Sequence, residues 1–366
     1  MLTEHREQKL AGQYGYPVAP MNPPPAEKSP NVVQFSLTQG CSHGRCTFCT
    51  MYRRDGQEFK MKSLPEFKSH VDQVLAYLKK HPGELRQIDR IFLGAGNALH
   101  ADVDLLLQAS QYALKAVKLA VPGNPIPRRL AVYGNTKDIL EKDRDMRLLR
   151  CGGTCGWMGG KCSIDSLGEK RGVDVVYWGI ESGSDKVLKI AGKGYTQDQA
   201  AQAGQILQSA DVRPSVMIMP GLGGIAHSED HVYDTAMLLN YVRPEWTTFI
   251  GLKINDGTPY AKWMEREEAE NRNRRMTPAE MAEQTARIVE LLNFPTSVGV
   301  HGDQVHTFGH NPVTIGVAKI EDGYGARRVA RQIRQTASGE FGEGTKAFRM
   351  LDIESLLNRF TPNKLT

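Results

Sequence analysis

Short apolar runs alternate with amphipathic segments along most of the chain. After the first run, for example, Phe67, Val71, Val74 and Leu78 recur at helical spacing. Six apolar runs predict strands, and they comprise residues 32–37, 90–93, 129–135, 173–180, 214–219 and 247–254. Six strand–helix units in alternation predict an α/β fold with parallel strands and helices outside the sheet.

The pattern changes at both ends of this alternating core, which we assign to residues 31–262. Residues 1–30 are rich in proline and glycine and predict an irregular N-terminal extension. Beyond the core, a highly charged stretch and a capping box at residues 277–280 predict a mainly helical C-terminal region over 263–366.

Composition narrows the class of protein. The chain has 366 residues, of which 40% are hydrophobic and 24% charged, and its formal charge of +5 is too small to indicate nucleic acid. No apolar run approaches the roughly 18 residues that a membrane span needs. The first seven residues include two acids and no apolar block, so they do not predict a secretory signal. Six cysteines without such a leader favour metal ligation in a reducing compartment, and we predict a cytoplasmic protein.

Three of the cysteines lie within nine residues, directly after the first predicted strand. Cys41, Cys46 and Cys49 can all reach one metal centre. Three thiolates on a short loop suit a [4Fe-4S] cluster whose fourth iron stays open to a small molecule. A structural zinc site with His43 as the fourth ligand is the alternative, although zinc-binding cysteine pairs usually lie far apart in the sequence.

The spacing Cys-x4-Cys-x2-Cys, with Phe48 before the third cysteine, resembles that of the radical S-adenosylmethionine (SAM) superfamily. It departs from the commonest family spacing, which has three residues between the first two cysteines. The general resemblance is to the branch that contains oxygen-independent coproporphyrinogen oxidase and the methylthiotransferases. It implies that the parallel strands form a partial (β/α)6 TIM-like barrel, closed by the C-terminal region. Active groups of such barrels gather at the C-terminal ends of strands.

The resemblance also assigns a SAM-binding role to residues that follow several strands. Glu181 would accept hydrogen bonds from the ribose hydroxyls, and the glycine motif at residues 94–97 would meet the amino group. The full set is Phe48, Gly94, Gly96, Asn97, Asn135, Glu181, Ser182, Met217 and Met219. The alternative roles are a turn for the glycines, helix capping for Glu181 and core packing for the methionines.

A radical SAM enzyme is the function that this resemblance implies. Such an enzyme cleaves SAM reductively to methionine and a 5′-deoxyadenosyl radical, which abstracts hydrogen from a small or medium organic substrate. A flavodoxin or ferredoxin would supply the electron. The alternatives are a non-catalytic haem or cluster carrier on the same fold, and a zinc-dependent RNA-binding protein.

A second group of three cysteines occupies a glycine-rich insertion at residues 151–170. Cys151, Cys155 and Cys162 could hold an auxiliary iron–sulfur cluster or, with a histidine, zinc. Cys155 could instead act as a catalytic thiol. The alternative is a variable loop whose cysteines have no shared function.

Two polar groups in the C-terminal region are candidates for binding or catalysis. His301, Asp303, His306 and His310 could line the mouth of the barrel as substrate ligands or proton-transfer groups, or lie on an ordinary surface loop. The second group is an arginine stripe that would suit an anionic substrate, although such stripes are usually solvated helix faces. It consists of Arg327, Arg328, Arg331 and Arg334.

Overall fold

The structure is a computed structural model that describes residues 31–50, 58–80, 82–94, 96–120, 127–153, 172–301 and 315–337. The chain divides into two compact units. Within the described residues, the first unit falls in Met1–Arg45, Cys49–Trp178 and Gln202–Pro214, and the second falls in Cys46–Phe48, Gly179–Ala201 and Ser215–Thr366. The boundaries that the sequence predicts at residues 30 and 262 stay predictions.

The described elements alternate between strands and helices, as the hydrophobic pattern predicts. The strands are β1 Val32–Ser36, β2 Thr38–Gln39, β3 Lys60–Met61, β4 Arg90–Gly94, β5 Arg129–Gly134, β6 Val175–Glu181, β7 Arg213–Ile218, β8 Trp246–Ile250, β9 Thr296–His301 and β10 Ile315–Ile320. The helices are α1 Leu64–Lys79, α2 Pro82–Leu85, α3 Val103–Ala120, α4 Thr136–Glu141, α5 Met146–Arg150, α6 Asp185–Ala191, α7 Gln197–Ser209, α8 Ser228–Val242, α9 Pro259–Ala269, α10 Pro278–Glu290 and α11 Gly323–Ala337.

In the first unit, β1 pairs with β4, β4 with β5, and β5 with β6, and every pair is parallel. The strand β4 is buried along its whole length, as expected of a parallel strand covered on both faces. Phe35 on β1 meets Phe67 on α1 edge to face, with 6.5 Å between the ring centroids. The predicted helical face of α1, including Phe67, Val71 and Leu78, is therefore the face that packs into the core.

In the second unit, β7, β8 and β9 are parallel, and β10 pairs antiparallel with β9. The predicted capping box is present at the start of α10, where Thr277 N–H donates to Glu280 Oε2 at 2.8 Å. The described part of the C-terminal region, residues 263–301 and 315–337, is mainly helical, as predicted, but β9 and β10 were not expected. Their apolar runs are short and border the histidine-rich stretch, so periodicity alone did not separate them from a loop.

Across the described residues, seven strands run parallel to a neighbour, β10 is antiparallel to β9, and the two-residue strands β2 and β3 form a separate antiparallel pair. Helices separate most of the parallel strands. This pattern confirms the α/β class and the parallel strands of the predicted barrel. None of the helices in these residues combines the length and the apolar character that a membrane span requires.

The half-buried His70 makes the stability of the first unit sensitive to acid. Its Nε2 accepts a hydrogen bond from Ser36 N–H at 3.0 Å, and burial, with a smaller effect of Lys62, lowers its pKa from 6.5 to about 3. Because the unfolded chain protonates His70 near pH 6.5 and the folded chain does not, the stabilisation is complete above that pH and is lost as the pH falls below it.

We therefore expect a change from pH 7 to pH 5.5 to lower the free energy of unfolding by about 1 kcal/mol through His70. Urea denaturation at the two pH values measures this difference. In His70→Asn, the difference should shrink by that amount, because asparagine does not titrate. An equal pH dependence in both proteins would contradict the assignment.

Candidate active site

The cysteine loop follows β2 and occupies residues 40–50. Cys41, Cys46 and Cys49 are each partly exposed, so a group outside the chain can approach their sulfur atoms. Three accessible thiols on one short loop, with no fourth cysteine on it, are the donor set of a cluster that keeps one iron open. The residues present therefore fit the predicted cluster.

The middle of this loop is held in the second unit by backbone hydrogen bonds. Thr47 N–H donates to Ala191 O at 2.9 Å, and Thr47 Oγ1 donates to Ile190 O at 2.8 Å, both at the end of α6. Tyr260 N–H, at the start of α9, donates to Thr47 O at 3.1 Å. Phe48, a predicted SAM contact, is buried beside this anchor. The position of Cys46 is thus set by two helix ends rather than by the loop alone.

The glycine motif after β4 touches the start of the cysteine loop within the first unit. Gly96 has φ +118°, and a Cβ built on it would lie 1.9 Å from Gly40 O. Only glycine allows this approach of two backbones. Gly94 ends β4, and Ala95 lies outside the described residues. The motif therefore positions the cysteine loop, in addition to the SAM contact predicted for it.

Asn97 connects this motif to a polar cluster that the sequence does not mark. Its Nδ2 donates to Ser42 Oγ at 2.8 Å and also to Asp138 Oδ2. Asp138 lies 2.7 Å from His100 Nδ1. Asn135, at the end of β5, caps α4 by accepting the N–H of Asp138 at 3.0 Å, and its predicted contact with SAM stays a prediction. The sequence signal for this cluster was Asp138, an acid three residues after Asn135 at the end of a strand. That spacing does not by itself distinguish a polar cluster from other arrangements.

Glu181 ends β6 in an unusual conformation. Its φ is +68°, which a non-glycine residue adopts at some cost in energy and mostly at functional sites. Its Oε1 lies 3.4 Å from Lys193 Nζ, and Lys193 also donates to Gly179 O at 2.8 Å. Tyr195 OH donates to Ile180 O at 2.7 Å. The acid predicted to bind ribose is therefore held rigidly with a cation beside it.

The charges in this part of the second unit are coupled. Burial lowers the pKa of Lys193, but Tyr195, Glu181 and Cys46 raise it, and the net shift is upward. Lys193 is therefore positively charged near Cys46, which is predicted to be a cluster ligand. Burial raises the pKa of Glu181, and Lys193 opposes that shift. Lys193 and Tyr195 were not among the predicted site residues, since a lone lysine after a helix carries no distinctive signal.

Ser182 and the glycine after it pack against α8. Ser182 is fully buried, and its Oγ accepts the N–H of Ser184 at 3.1 Å and lies 2.7 Å from His231 Nδ1. Burial lowers the pKa of His231 to about 3, so the imidazole is neutral. A Cβ on Gly183 would lie 2.3 Å from Asp234 O. In this structure Ser182 has a packing role, and its contact with SAM stays a prediction.

The two methionines predicted to line the adenine differ in exposure. Met217 on β7 is partly exposed, whereas Met219 is 1% exposed and its N–H donates to Glu181 O at 2.9 Å. Met217 is thus the one that can offer an apolar surface to a ligand, and Met219 supports the Glu181 backbone.

Several predicted residues lie outside the described part of the chain: Cys155, Cys162, Asp303, His306 and His310. Cys151 is described and buried, and its Sγ lies 3.5 Å from Leu148 O. His301 is the last residue of β9 and pairs with Ile250 on β8. In the arginine stripe, Arg334 forms ion pairs with Glu283 and Glu290 on α10, so this member of the stripe joins two helices.

Comparison with known proteins identifies the superfamily. The model of the radical SAM superfamily matches residues 35–236, which is more than half of the chain and includes the cysteine loop and Glu181. No curated protein matches the chain.

Similar solved structures include two radical SAM enzymes and a methylornithine synthase. The cobalamin-dependent SAM radical enzyme OxsB is 16% identical with a TM-score of 0.39, over 66% of this chain and 30% of OxsB. Coproporphyrinogen III oxidase (HemN) from Escherichia coli is 10% identical with a TM-score of 0.39, over 76% and 65% of the two chains. Methylornithine synthase (PylB) is 10% identical with a TM-score of 0.43, over 98% and 86%.

This chain spans less than a third of OxsB, and the identities and TM-scores are low. The family assignment therefore rests on the sequence match and on the residues of the site. On that basis the chain belongs to the radical SAM superfamily and is an enzyme of that class.

Proposed function

We propose that this enzyme uses a [4Fe-4S] cluster held by Cys41, Cys46 and Cys49 to act on a small or medium organic substrate. When bound, the cluster and SAM supply a reductive cleavage that yields methionine and a 5′-deoxyadenosyl radical able to abstract hydrogen. The observation that carries the proposal is the loop of three accessible cysteines within the matched residues 35–236.

Several of the described residues carry groups suited to contacts with SAM. In the first unit, the buried Asn97 offers an acceptor, its Oδ1, that has no hydrogen-bond partner among the described residues. In the second unit, Glu181 offers a carboxylate to the ribose hydroxyls, and Lys193 supplies positive charge near Cys46. Phe48 would contact adenine through its backbone, and the partly exposed Met217 offers an apolar side chain. These groups hold and orient the cofactor and exclude water around it.

The electron would come from a flavodoxin or ferredoxin, and the reducing environment that such chemistry requires places the enzyme in the cytoplasm. The identity of the substrate follows from none of these residues. Arg327, Arg328 and Arg331 on α11 are exposed, which is consistent with an anionic substrate. The fourth arginine of the stripe, Arg334, forms an ion pair with Glu283. An auxiliary cluster at Cys151, Cys155 and Cys162 is a further part of the proposal that needs its own measurement.

The test is anaerobic reconstitution followed by reduction with dithionite in the presence of SAM. We expect about four irons per chain from the cluster at Cys41, Cys46 and Cys49 and about four more from the auxiliary cluster, with 5′-deoxyadenosine and methionine detected by mass spectrometry. The triple variant Cys151→Ala/Cys155→Ala/Cys162→Ala serves as the comparison. A fall from about eight irons to about four in that variant would establish the auxiliary cluster.

Two other results would each support one of the alternative functions. Iron without SAM cleavage, combined with stoichiometric release of a bound group, would indicate a haem or cluster carrier. Zinc in place of iron, with salt-sensitive RNA binding, would exclude the radical mechanism.

A further inference from the structure

The carboxylate of Asp138 is completely engaged in the polar cluster of the first unit. The residue is 1% exposed. Its Oδ1 lies 2.7 Å from His100 Nδ1, and its Oδ2 accepts a hydrogen bond from Asn97 Nδ2. Its backbone N–H is bound by the Asn135 side chain at 3.0 Å. Asp138 is thus fixed by contacts on its main chain and on both carboxylate oxygens.

This arrangement determines which way the Asn97 amide points. A carboxylate only accepts hydrogen bonds, so the atom of Asn97 that faces Asp138 must be the nitrogen. The same nitrogen also donates to Ser42 Oγ at 2.8 Å, so both of its hydrogens are used. The remaining polar atom, Oδ1, is buried and has no hydrogen-bond partner among the described residues. A buried acceptor of this kind is costly until a donor reaches it.

The ligand group that such an acceptor recognises is one that only donates. An ammonium group has three donors and no acceptor, whereas a carboxylate would be repelled by Oδ1. We propose that Asp138, held by His100, is a positioning residue that keeps Asn97 Oδ1 directed at the amino group of bound SAM. The inference rests on the proposed function, since it takes SAM as the ligand.

A metal site is the other use that this cluster suggests. Ligand atoms of His100, Asp138 and Glu141 lie within 4.8 Å of one another. However, Oδ2 of Asp138 already accepts an N–H from Asn97, and a cation at that oxygen would face the donor hydrogens of the amide. The hydrogen-bond pattern therefore favours positioning over metal binding.

The test exchanges the two polar groups. In Asp138→Asn, the new amide can donate to Asn97 Oδ1, so Asn97 can turn its nitrogen toward the ligand. In Asn97→Asp, two carboxylates meet. The double variant Asn97→Asp/Asp138→Asn restores one donor and one acceptor at the contact and leaves an acceptor oxygen facing the ligand. All four proteins are reconstituted, and their dissociation constants are measured by equilibrium dialysis.

Two probes separate the amino-acid part of SAM, which carries the amino group, from its nucleoside part. SAM carries the amino group, and 5′-methylthioadenosine lacks the amino-acid part. We expect Asp138→Asn to bind SAM roughly 10- to 100-fold more weakly, which is the size expected for one hydrogen bond to a charged group. Binding of 5′-methylthioadenosine and iron content should not change. The double variant should bind SAM at least as tightly as wild type to within about threefold, because it again turns an acceptor oxygen, now of a carboxylate, toward the ammonium group.

If wild type and Asp138→Asn prefer SAM over 5′-methylthioadenosine by the same ratio of dissociation constants, the positioning role is overturned. A double variant that binds SAM no more tightly than the single variants would overturn it as well. If Asp138→Asn does not fold, His100→Ala carries the test, with an expected loss of roughly threefold for SAM alone, and an unchanged preference would overturn the inference. A wild-type protein that holds iron but binds no SAM would instead contradict the proposed function.

Discussion

Alanine in place of Cys46 is expected to abolish the iron–sulfur cluster and, with it, SAM cleavage. Each of the three cysteines would bind one iron of the cluster, and two thiolates do not retain a cubane. After anaerobic reconstitution, iron should fall by about four per chain, and 5′-deoxyadenosine should become undetectable. Cys41→Ala and Cys49→Ala should behave alike.

The control for this result lies in the same loop. His43 is the residue that would complete a zinc site, so His43→Ala distinguishes the two metal centres. In an enzyme with the cluster, His43→Ala keeps its iron and its cleavage activity. Loss of metal from His43→Ala, together with zinc in the wild-type protein, would show that the cysteine loop is a zinc site.

Alanine at Gly96 is expected to have the largest effect on stability of the substitutions considered. The new Cβ would lie 1.9 Å from Gly40 O, and φ +118° is unfavourable for alanine. Because the obstacle is backbone on both sides, neither group can move aside cheaply. We expect the free energy of unfolding to fall by about 3 kcal/mol or more, and the cysteine loop to be displaced, with loss of reconstituted iron. Urea denaturation and iron analysis measure both effects.

Gly257→Ala is the control for Gly96→Ala, because it separates the energetic cost of backbone strain from that of a steric collision. Gly257 also has a positive φ, +77°, but nothing lies within 4 Å of the position of its Cβ. This variant should lose only about 1 kcal/mol and should keep its iron. If Gly96→Ala were no less stable than Gly257→Ala, the close approach of Gly96 to the cysteine loop would have no energetic importance.

The strand–helix alternation was predictable because it depends on local periodicity. Five of the six predicted strands agree with the observed ones to within two residues at each end, and each ends near a residue of the site. The sixth, predicted at 247–254, ends earlier, at Ile250. Beyond it, β9 and β10 were missed, because a strand in an edge hairpin is stabilised by its partner, which the local sequence does not show.

The sequence alone also determined the chemistry of the centre. Three cysteines at close spacing are recognisable because ligands on one loop are neighbours in the chain, and Glu181 belongs to a motif at a strand end. The roles predicted for these residues, cluster binding and ribose binding, each depend on a few neighbouring positions in the chain.

Only the tertiary structure decided how those residues are held. The pairing of Asp138 with Asn97 joins groups 41 residues apart, and Lys193 meets Glu181 after an intervening helix. It also decided that Asn135 caps a helix and that Ser182 is buried against His231. A hydrogen bond depends on the distance and direction between two atoms, and for residues far apart in the chain those are set by the packing of strands and helices, which no local pattern records.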